Sequence, residues 1–108
     1  MENDNKVVVF ATNDSGYKFD SAEGAVGEPI EIKPVTVGRV SVFHTDTLMR
    51  QIKFQLKDFR PEIDYLLISG NSIVAGLASA VLGASHHFPI KILIWDHMNT
   101  KYVARNIS

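Results

Sequence analysis

Residues 64–82, DYLLISGNSIVAGLASAVL, decide the fold, because an apolar strand meets an apolar helix there through a short polar turn. We predict a buried strand over Tyr65–Ile68, which Ser69-Gly70-Asn71-Ser72 breaks before the helix begins. The first N–H groups of a helix point out of its start and favour negative charge. The stretch therefore predicts a strand–turn–helix unit whose turn is a candidate anion site.

The residues before this unit predict three strands and one helix. Residues 1–5 are expected to be a frayed tail, and Lys6–Thr12 (KVVVFAT) is β-branched and apolar on both faces, as in a central strand. A loop over Asn13–Gly27 is long enough to be functional or disordered. The remaining elements are an edge strand Pro29–Lys33, a strand Val35–His44 bent at Gly38, and a helix Asp46–Phe59 that Thr45 caps and Pro61 ends.

The residues after the turn predict an uncharged helix and a β-hairpin. The helix covers residues 72–84, and we expect it to pack on the sheet with one side. Its other side is expected to be covered by a second copy of the chain or by the N-terminal segment. Strands Ile90–Trp95 and Lys101–Ile107 form the hairpin through Asp96–Thr100, whose Asp, Asn and Thr residues are typical of turns.

Together these elements predict one α/β domain over residues 1–108. The element order is βββαβαββ, with a mixed sheet, parallel central strands, two helices and a C-terminal hairpin. Crossovers through a helix favour parallel strand pairing, and the length suits a single core.

Composition excludes several classes of protein. The net charge of −1 gives no broad footprint for duplex DNA. The absence of cysteine excludes disulfides, thiolate metal sites and a cysteine nucleophile. The N-terminus does not resemble a signal peptide, and residues 73–84 fall short of the about 20 apolar residues that span a bilayer. We therefore expect a soluble, cytoplasmic protein with no membrane contact.

The carboxyl ends of the predicted parallel strands all carry polar residues, which predicts a ligand site where those ends meet. N–H groups of Gly70, Asn71 and Ser72 are expected to hold a phosphate. Asn13, Asp46 and Asp96 are expected to contact the sugar or base, and Ser69 is a further candidate ligand-binding residue. The alternative is that these residues only cap helices and form turns, as Asn, Asp and Ser commonly do.

His44 and His97 also follow predicted strands and are candidates for acid–base catalysis. With Asp46 and Asp96 they could form a metal set, but no spacing enforces it, so we predict neither metal nor cofactor.

Residues 68–107, ISGNSIVAGLASAVLGASHHFPIKILIWDHMNTKYVARNI, resemble the C-terminal half of a small family of CRISPR-associated ring nucleases. The shared features are Ser69-Gly70, the following helix, Trp95-Asp96 and the closing strand. The family has Arg where this chain has Asn71, and a helix His where this chain has Leu77 and Ala78. The resemblance implies a related fold and a cyclic oligoadenylate ligand, without the catalysis. The compact, nearly neutral α/β composition is also similar to that of phage accessory proteins.

The leading functional prediction is a domain that binds a phosphate-bearing ligand, preferably a nucleotide or cyclic oligonucleotide. One alternative is a metal-independent phosphodiesterase of the ring-nuclease type that uses His44 or His97. The other is a homo-oligomeric interaction protein without a small ligand, built on the uncharged helix.

Overall fold

The computed structural model describes residues 6–14, 19, 21–41, 44–70, 72–86 and 89–107. In this part of the chain the element order is βαβαβαββ. The elements are β1 (Val7–Ala11), α1 (Ala22–Val26), β2 (Ile30–Pro34), α2 (Thr45–Gln55), β3 (Tyr65–Leu67), α3 (Ser72–His86), β4 (Ile90–Asp96) and β5 (Lys101–Ile107). The predicted tail at residues 1–5 and the predicted contact at Asn71 lie outside the described residues.

The strands form one mixed sheet in the order β2-β1-β3-β4-β5. The first four are parallel, and β5 pairs antiparallel with β4. The predicted mixed α/β class, parallel centre and C-terminal hairpin are therefore confirmed. The chain leaves β1 toward β2 on one side and returns to β3 on the other. The connections thus change direction between β1 and β3, and crevices at such points bind ligands in open α/β sheets.

The predicted strand Val35–His44 is wrong. The chain leaves the sheet after Pro34, and the described residues that follow make only an isolated bridge between Val37 and Asp14. Val35 is buried whereas Val37 is 67% exposed, and Gly38 has a φ of +67°. The alternating valines of this segment therefore belong to a loop that buries Val35 and exposes Val37. His44 accordingly does not end a strand but precedes the first residue of α2.

The helices also differ in number and length from the prediction. Helix α1 lies inside the predicted loop Asn13–Gly27, and Gly27 ends it by donating its N–H to the Glu23 carbonyl at 2.9 Å with a φ of +88°. Helix α2 ends at Gln55 rather than at Phe59, and α3 continues to His86. The short α1 has too few apolar residues for a helical period to be visible in the sequence.

The two faces of the sheet bury separate apolar clusters. Helices α2 and α3 cover one face, whose buried residues include Phe10, Ile52, Leu56, Leu66, Leu82 and Ile90. The other face packs against the short α1 and includes Val9, Ala11, Ala22, Leu67, Leu93 and Tyr102. Of the helices in the described residues, the two long ones therefore cover one face and the short one covers the other.

Helix α3 keeps one apolar side in contact with solvent. Val74, Ala78 and Leu82 are buried, whereas Ile73 is 48% exposed, and Gly76 and Ala80 are also exposed. No described helix is long and apolar enough to cross a membrane.

An ion pair joins β1 to the turn before β3 at the amino edge of the sheet. The carboxylate of Asp64 is 1% exposed and accepts hydrogen bonds from the Val8 N–H and the Arg60 N–H at 3.0 and 2.9 Å. It also accepts from Arg60 Nε and Nη2 at 3.0 and 2.8 Å. Arg60 Nη2 donates in addition to the Lys6 carbonyl at 2.7 Å. We call Arg60 and Asp64 the amino-edge clamp.

Candidate functional site

Thr12, Asn13, Thr36 and Ser69 form a hydrogen-bonded group at the carboxyl edge of the sheet, which we call the edge network. Thr12 Oγ1 donates to the Ser69 carbonyl at 2.7 Å and accepts the Ser69 N–H at 2.9 Å. Ser69 Oγ donates to the Asn13 carbonyl at 2.7 Å. Thr36 Oγ1 donates to the Thr12 carbonyl at 2.6 Å and accepts from Asn13 Nδ2 at 2.9 Å. Neutral groups thus join the ends of β1 and β3 to the segment after β2.

The Asn13 side chain lies against two glycine turns. Its Nδ2 donates to the Gly38 carbonyl at 2.9 Å, and Gly38 has a φ of +67°. On its other side is Gly70, with a φ of +68°, where an added Cβ would lie 2.7 Å from both Cβ and Oδ1 of Asn13. Gly70 is therefore fitted to its position twice, by its left-handed backbone and by the space that Asn13 fills.

The structure brings Asn13, Ser69 and Gly70 together, as the sequence predicts, but with unequal exposure. Asn13 is 3% exposed and its amide donates inside the protein, and the Ser69 hydroxyl is also used within the edge network. Gly70 and Ser72, at the start of α3, are exposed. Among the described residues of the predicted phosphate turn, Gly70 and Ser72 are thus the ones open to a ligand.

A cavity of about 370 Å³ opens beside the edge network, between the segment after β2 and the start of α2. Its lining residues are Thr36, Val37, Arg39, Val40, Ser41, His44, Thr47, Leu48 and Gln51. Thr36 belongs to both the lining and the edge network, so the two features are continuous. The lining contains the predicted His44 but not Asp46, which is exposed in the first turn of α2.

A cationic residue that the sequence prediction missed, Arg39, is among those that line the cavity. Arg39 is exposed at the cavity, and it follows directly on the Gly38 turn. The sequence predicts a strand over residues 35–44, and in such a strand Arg39 would be an ordinary exposed residue. The signal that could have revealed Arg39 is Gly38, because a left-handed turn at that glycine puts Arg39 in a loop beside the start of α2.

Asp96 and His97 lie at the β4–β5 turn rather than in the cavity. Asp96 accepts hydrogen bonds from the N–H groups of Met98 and Asn99 at 3.0 and 3.3 Å and from Asn99 Nδ2 at 2.8 Å. The bond from the Asn99 side chain is the largest cause that lowers the pKa of the Asp96 carboxyl below its ordinary 3.8. The His97 ring stands edge-on to Trp95, with centroids 6.5 Å apart. Both residues therefore have a structural role in the hairpin.

The two candidate histidines are not brought into one site. His44 lines the cavity beside the end of β2, whereas His97 follows β4, and β1 and β3 lie between those strands. Within the part of the chain that the structure describes, no group of three or more His, Asp or Glu residues is arranged to hold a metal ion.

Comparison with known proteins gives one relationship. The family model of phage Pam3 gp32-like proteins matches residues 27–108, which are 82 of the 108 residues and include every element from β2 to β5. Comparisons with curated proteins and with solved structures gave no match, so nothing in them supports the resemblance to ring nucleases. The match covers well over half of the chain, and the protein therefore belongs to the phage Pam3 gp32-like family.

Proposed function

We propose that this phage protein binds a small phosphate-bearing ligand, preferably a nucleotide or cyclic oligonucleotide, at the carboxyl edge of its sheet. The observation that carries the proposal is the cavity with Arg39 and His44, which shares Thr36 with the edge network. That network joins the ends of β1 and β3, between which the strand connections change direction. Open α/β sheets bind ligands at such points.

The charges around the cavity favour an anionic ligand. The Arg39 guanidinium provides several N–H donors, which match phosphate oxygens in pairs. The start of α2 also lies at the cavity, and its first N–H groups favour negative charge. The edge network is neutral, so it adds no repulsion.

In this proposal each predicted residue keeps a distinct role. Gly70 and Ser72 provide N–H groups to phosphate from the start of α3, Arg39 approaches from the segment after β2, and His44 approaches from the start of α2. Asn13 and Ser69 hold the two turns in place. Asp46, which lies outside the cavity lining, is left to accept a hydrogen bond from a sugar hydroxyl. Asp96 lies farther along the sheet edge, within reach of an extended ligand alone.

A thermal-shift series with inorganic phosphate, AMP, ATP and cyclic diadenylate tests the proposal. A ligand that binds only the folded state adds about 2.7 kcal/mol of stability at a hundredfold excess over its Kd. We expect Arg39→Ala to weaken binding by about tenfold, through loss of a charge-assisted hydrogen bond. Arg50→Ala is the matched control, because Arg50 is an exposed arginine of α2 outside the cavity lining. A flat response to all four compounds, or equal losses in both variants, contradicts the proposal.

A phosphodiesterase activity is the enzymatic form of the same proposal. Only His44 of the two candidate histidines lines the cavity, so hydrolysis of cyclic diadenylate should be lost in His44→Ala and retained in His97→Ala. Equal turnover in the two variants contradicts acid–base catalysis by His44.

The second candidate function is a homo-oligomeric interaction protein, and the exposed apolar side of α3 favours it. Ile73, Gly76 and Ala80 are exposed there, and the helix contains no Asp, Glu, Lys or Arg. Small residues allow a second backbone to approach closely. Light scattering at high concentration tests this: a stable oligomer that Ala80→Arg dissociates supports it, and a monomer contradicts it.

A further inference from the structure

The outer edge of β5 carries backbone donors that the sheet does not use. The Leu93 carbonyl accepts the Ile68 N–H at 2.9 Å, so the backbone groups of Leu93 point toward β3. Ala104 is the register partner of Leu93 across the β4–β5 pair. Since neighbouring groups along a strand alternate in direction, the Ala104 N–H points away from β4.

A second contact independently shows which N–H groups of β5 point away from β4. The Tyr102 N–H donates to Ser21 Oγ at 3.3 Å, which requires it to point away from β4 as well. Tyr102, Ala104 and Asn106 alternate in step along β5, so all three N–H groups face outward. Among the described residues we find an acceptor for Tyr102 only. Within residues 6–14, 19, 21–41, 44–70, 72–86 and 89–107, the Ala104 and Asn106 N–H groups of this seven-residue edge strand therefore have no acceptor.

Helix α1 does not cover this edge. Its residue Ala22 shares an apolar cluster with Tyr102, and Ala25 and Ala104 pack against the same cluster. Side chains of a strand stand out of the sheet plane, so α1 packs on the face of β5 rather than beside its backbone. Ser21 reaches the edge at Tyr102 alone.

The opposite edge of the sheet, along β2, has fewer outward donors. The Val35 N–H donates to the Ala11 carbonyl, so Ile30, Ile32 and Pro34 present their backbone outward along β2. The Ile30 N–H is taken by Glu23 Oε2 at 3.3 Å, and Pro34 has no N–H. Proline and charged groups commonly protect edge strands in this way.

The charges of β5 indicate what kind of segment could pair with its outer edge. Lys101 and Arg105 stand on the same face of the strand. In the β4–β5 register Lys101 lies opposite Asp96, which offsets its charge, whereas Arg105 lies opposite the apolar Ile92. The Arg105 Nη1 donates to the Ala104 carbonyl at 2.7 Å, so the guanidinium lies at the edge itself. Pairing of β5 with β5 of a second copy would bring these cations together, which is unfavourable. An acidic strand would complement them.

We propose that the outer edge of β5 binds an extended acidic segment of another protein as a sixth strand of the sheet. The Ala104 and Asn106 N–H groups supply the backbone hydrogen bonds, as in other cases of strand addition. Arg105, whose register partner Ile92 carries no charge, selects an acidic side chain of that segment. The site lies on a strand edge, so it is independent of the cavity at Arg39.

Two synthetic peptides test this on the full chain, one alternating valine with glutamate and the other alternating valine with lysine. We expect the glutamate peptide to bind and to slow hydrogen exchange at Ala104 and Asn106, but not at Ile32 on the opposite edge strand β2. Arg105→Glu should weaken the glutamate peptide by about fivefold and strengthen the lysine peptide.

Ala104→Pro removes one outward N–H while leaving the β4–β5 bonds intact, so it should abolish binding in a folded protein. The Arg105→Glu variant tests the same proposal through a reversed side-chain charge and leaves the backbone N–H groups in place. Equal binding of the two peptides, unchanged exchange at Ala104 and Asn106, or pairing of β5 between two copies would each overturn the proposal.

Discussion

The two ends of β1 are tied to the rest of the sheet by different chemistry. At the amino edge, the clamp uses a buried carboxylate that accepts hydrogen bonds from the Val8 N–H and from three groups of Arg60. At the carboxyl edge, the edge network uses hydroxyls, an amide and backbone groups, all neutral. In the clamp, the charges of Arg60 and Asp64 offset each other and stabilise the fold. The neutral network leaves the local potential to Arg39 and to the helix starts, which suits a ligand site.

Removal of the clamp carboxylate should have the largest effect on stability. Asp64→Ala leaves the Val8 N–H and the Arg60 donors without their buried acceptor, and we expect a loss of about 4 kcal/mol in the free energy of unfolding. Asp58→Ala is the control, because Asp58 pairs with Lys57 at 3.5 Å on the surface and should cost less than about 0.5 kcal/mol. Urea unfolding measures both, and similar losses would show that the clamp is not what holds the amino edge.

The two glycine turns at the carboxyl edge provide a matched pair. Gly70 and Gly38 have nearly the same positive φ, but only Gly70 has Asn13 in the space of a Cβ. Gly38→Ala should cost about 1 kcal/mol for the left-handed backbone alone. Gly70→Ala should cost about 3 kcal/mol, because the clash with Asn13 adds to that strain. Equal losses in calorimetry would mean that Asn13 moves aside freely.

The edge network should be sensitive to the loss of one hydroxyl. Thr36→Val keeps the shape but removes the donor to the Thr12 carbonyl and the acceptor for Asn13 Nδ2. With both partners buried, we expect a loss of about 2 kcal/mol. Thr47→Val, at an exposed position of α2, should be close to neutral. If thermal unfolding of the two variants coincides, the network does not stabilise the edge.

The hairpin turn should show the smallest effect, as a pH dependence. The pKa of Asp96 is lowered in the folded state, so its ionised form stabilises the hairpin above the ordinary value of 3.8. That contribution is lost as the pH falls through the lowered pKa. The stability difference between the wild type and Asp96→Asn should therefore be larger at neutral pH than in strong acid. A difference that does not change with pH contradicts the role of the Asp96 charge.

The sequence predicts those parts of the fold in which a strong period coincides with clear turn residues. The unit around Tyr65–Leu67 and α3, and the hairpin of β4 and β5, are both of this kind. The strand predicted over Val35–His44 fails because its alternating valines imitate a period of two while Gly38 turns the chain. Helix α1 is missed because five residues cannot display a helical period.

The candidate site is predictable in position but not in its full composition. Polar strand ends indicate the carboxyl edge, and Asn13, Ser69 and Gly70 do meet there. Which of them face inward depends on packing that no single sequence reveals, as the buried amide of Asn13 illustrates. Arg39 is not recognised from the sequence because the strand predicted over Val35–His44 is wrong. His97 is separated from His44 because the sheet order places β1 and β3 between β2 and β4.

An NMR titration of the full chain with ATP tests most directly whether the carboxyl edge binds a phosphate-bearing ligand. We predict saturable shifts of the backbone amides of Gly38, Arg39 and Gly70, with those of Arg60 and Asp64 at the clamp unchanged. The same titration with Arg39→Ala should require a higher ATP concentration. Amides at the carboxyl edge that stay unshifted, or shifts of equal size at both edges, would contradict the account.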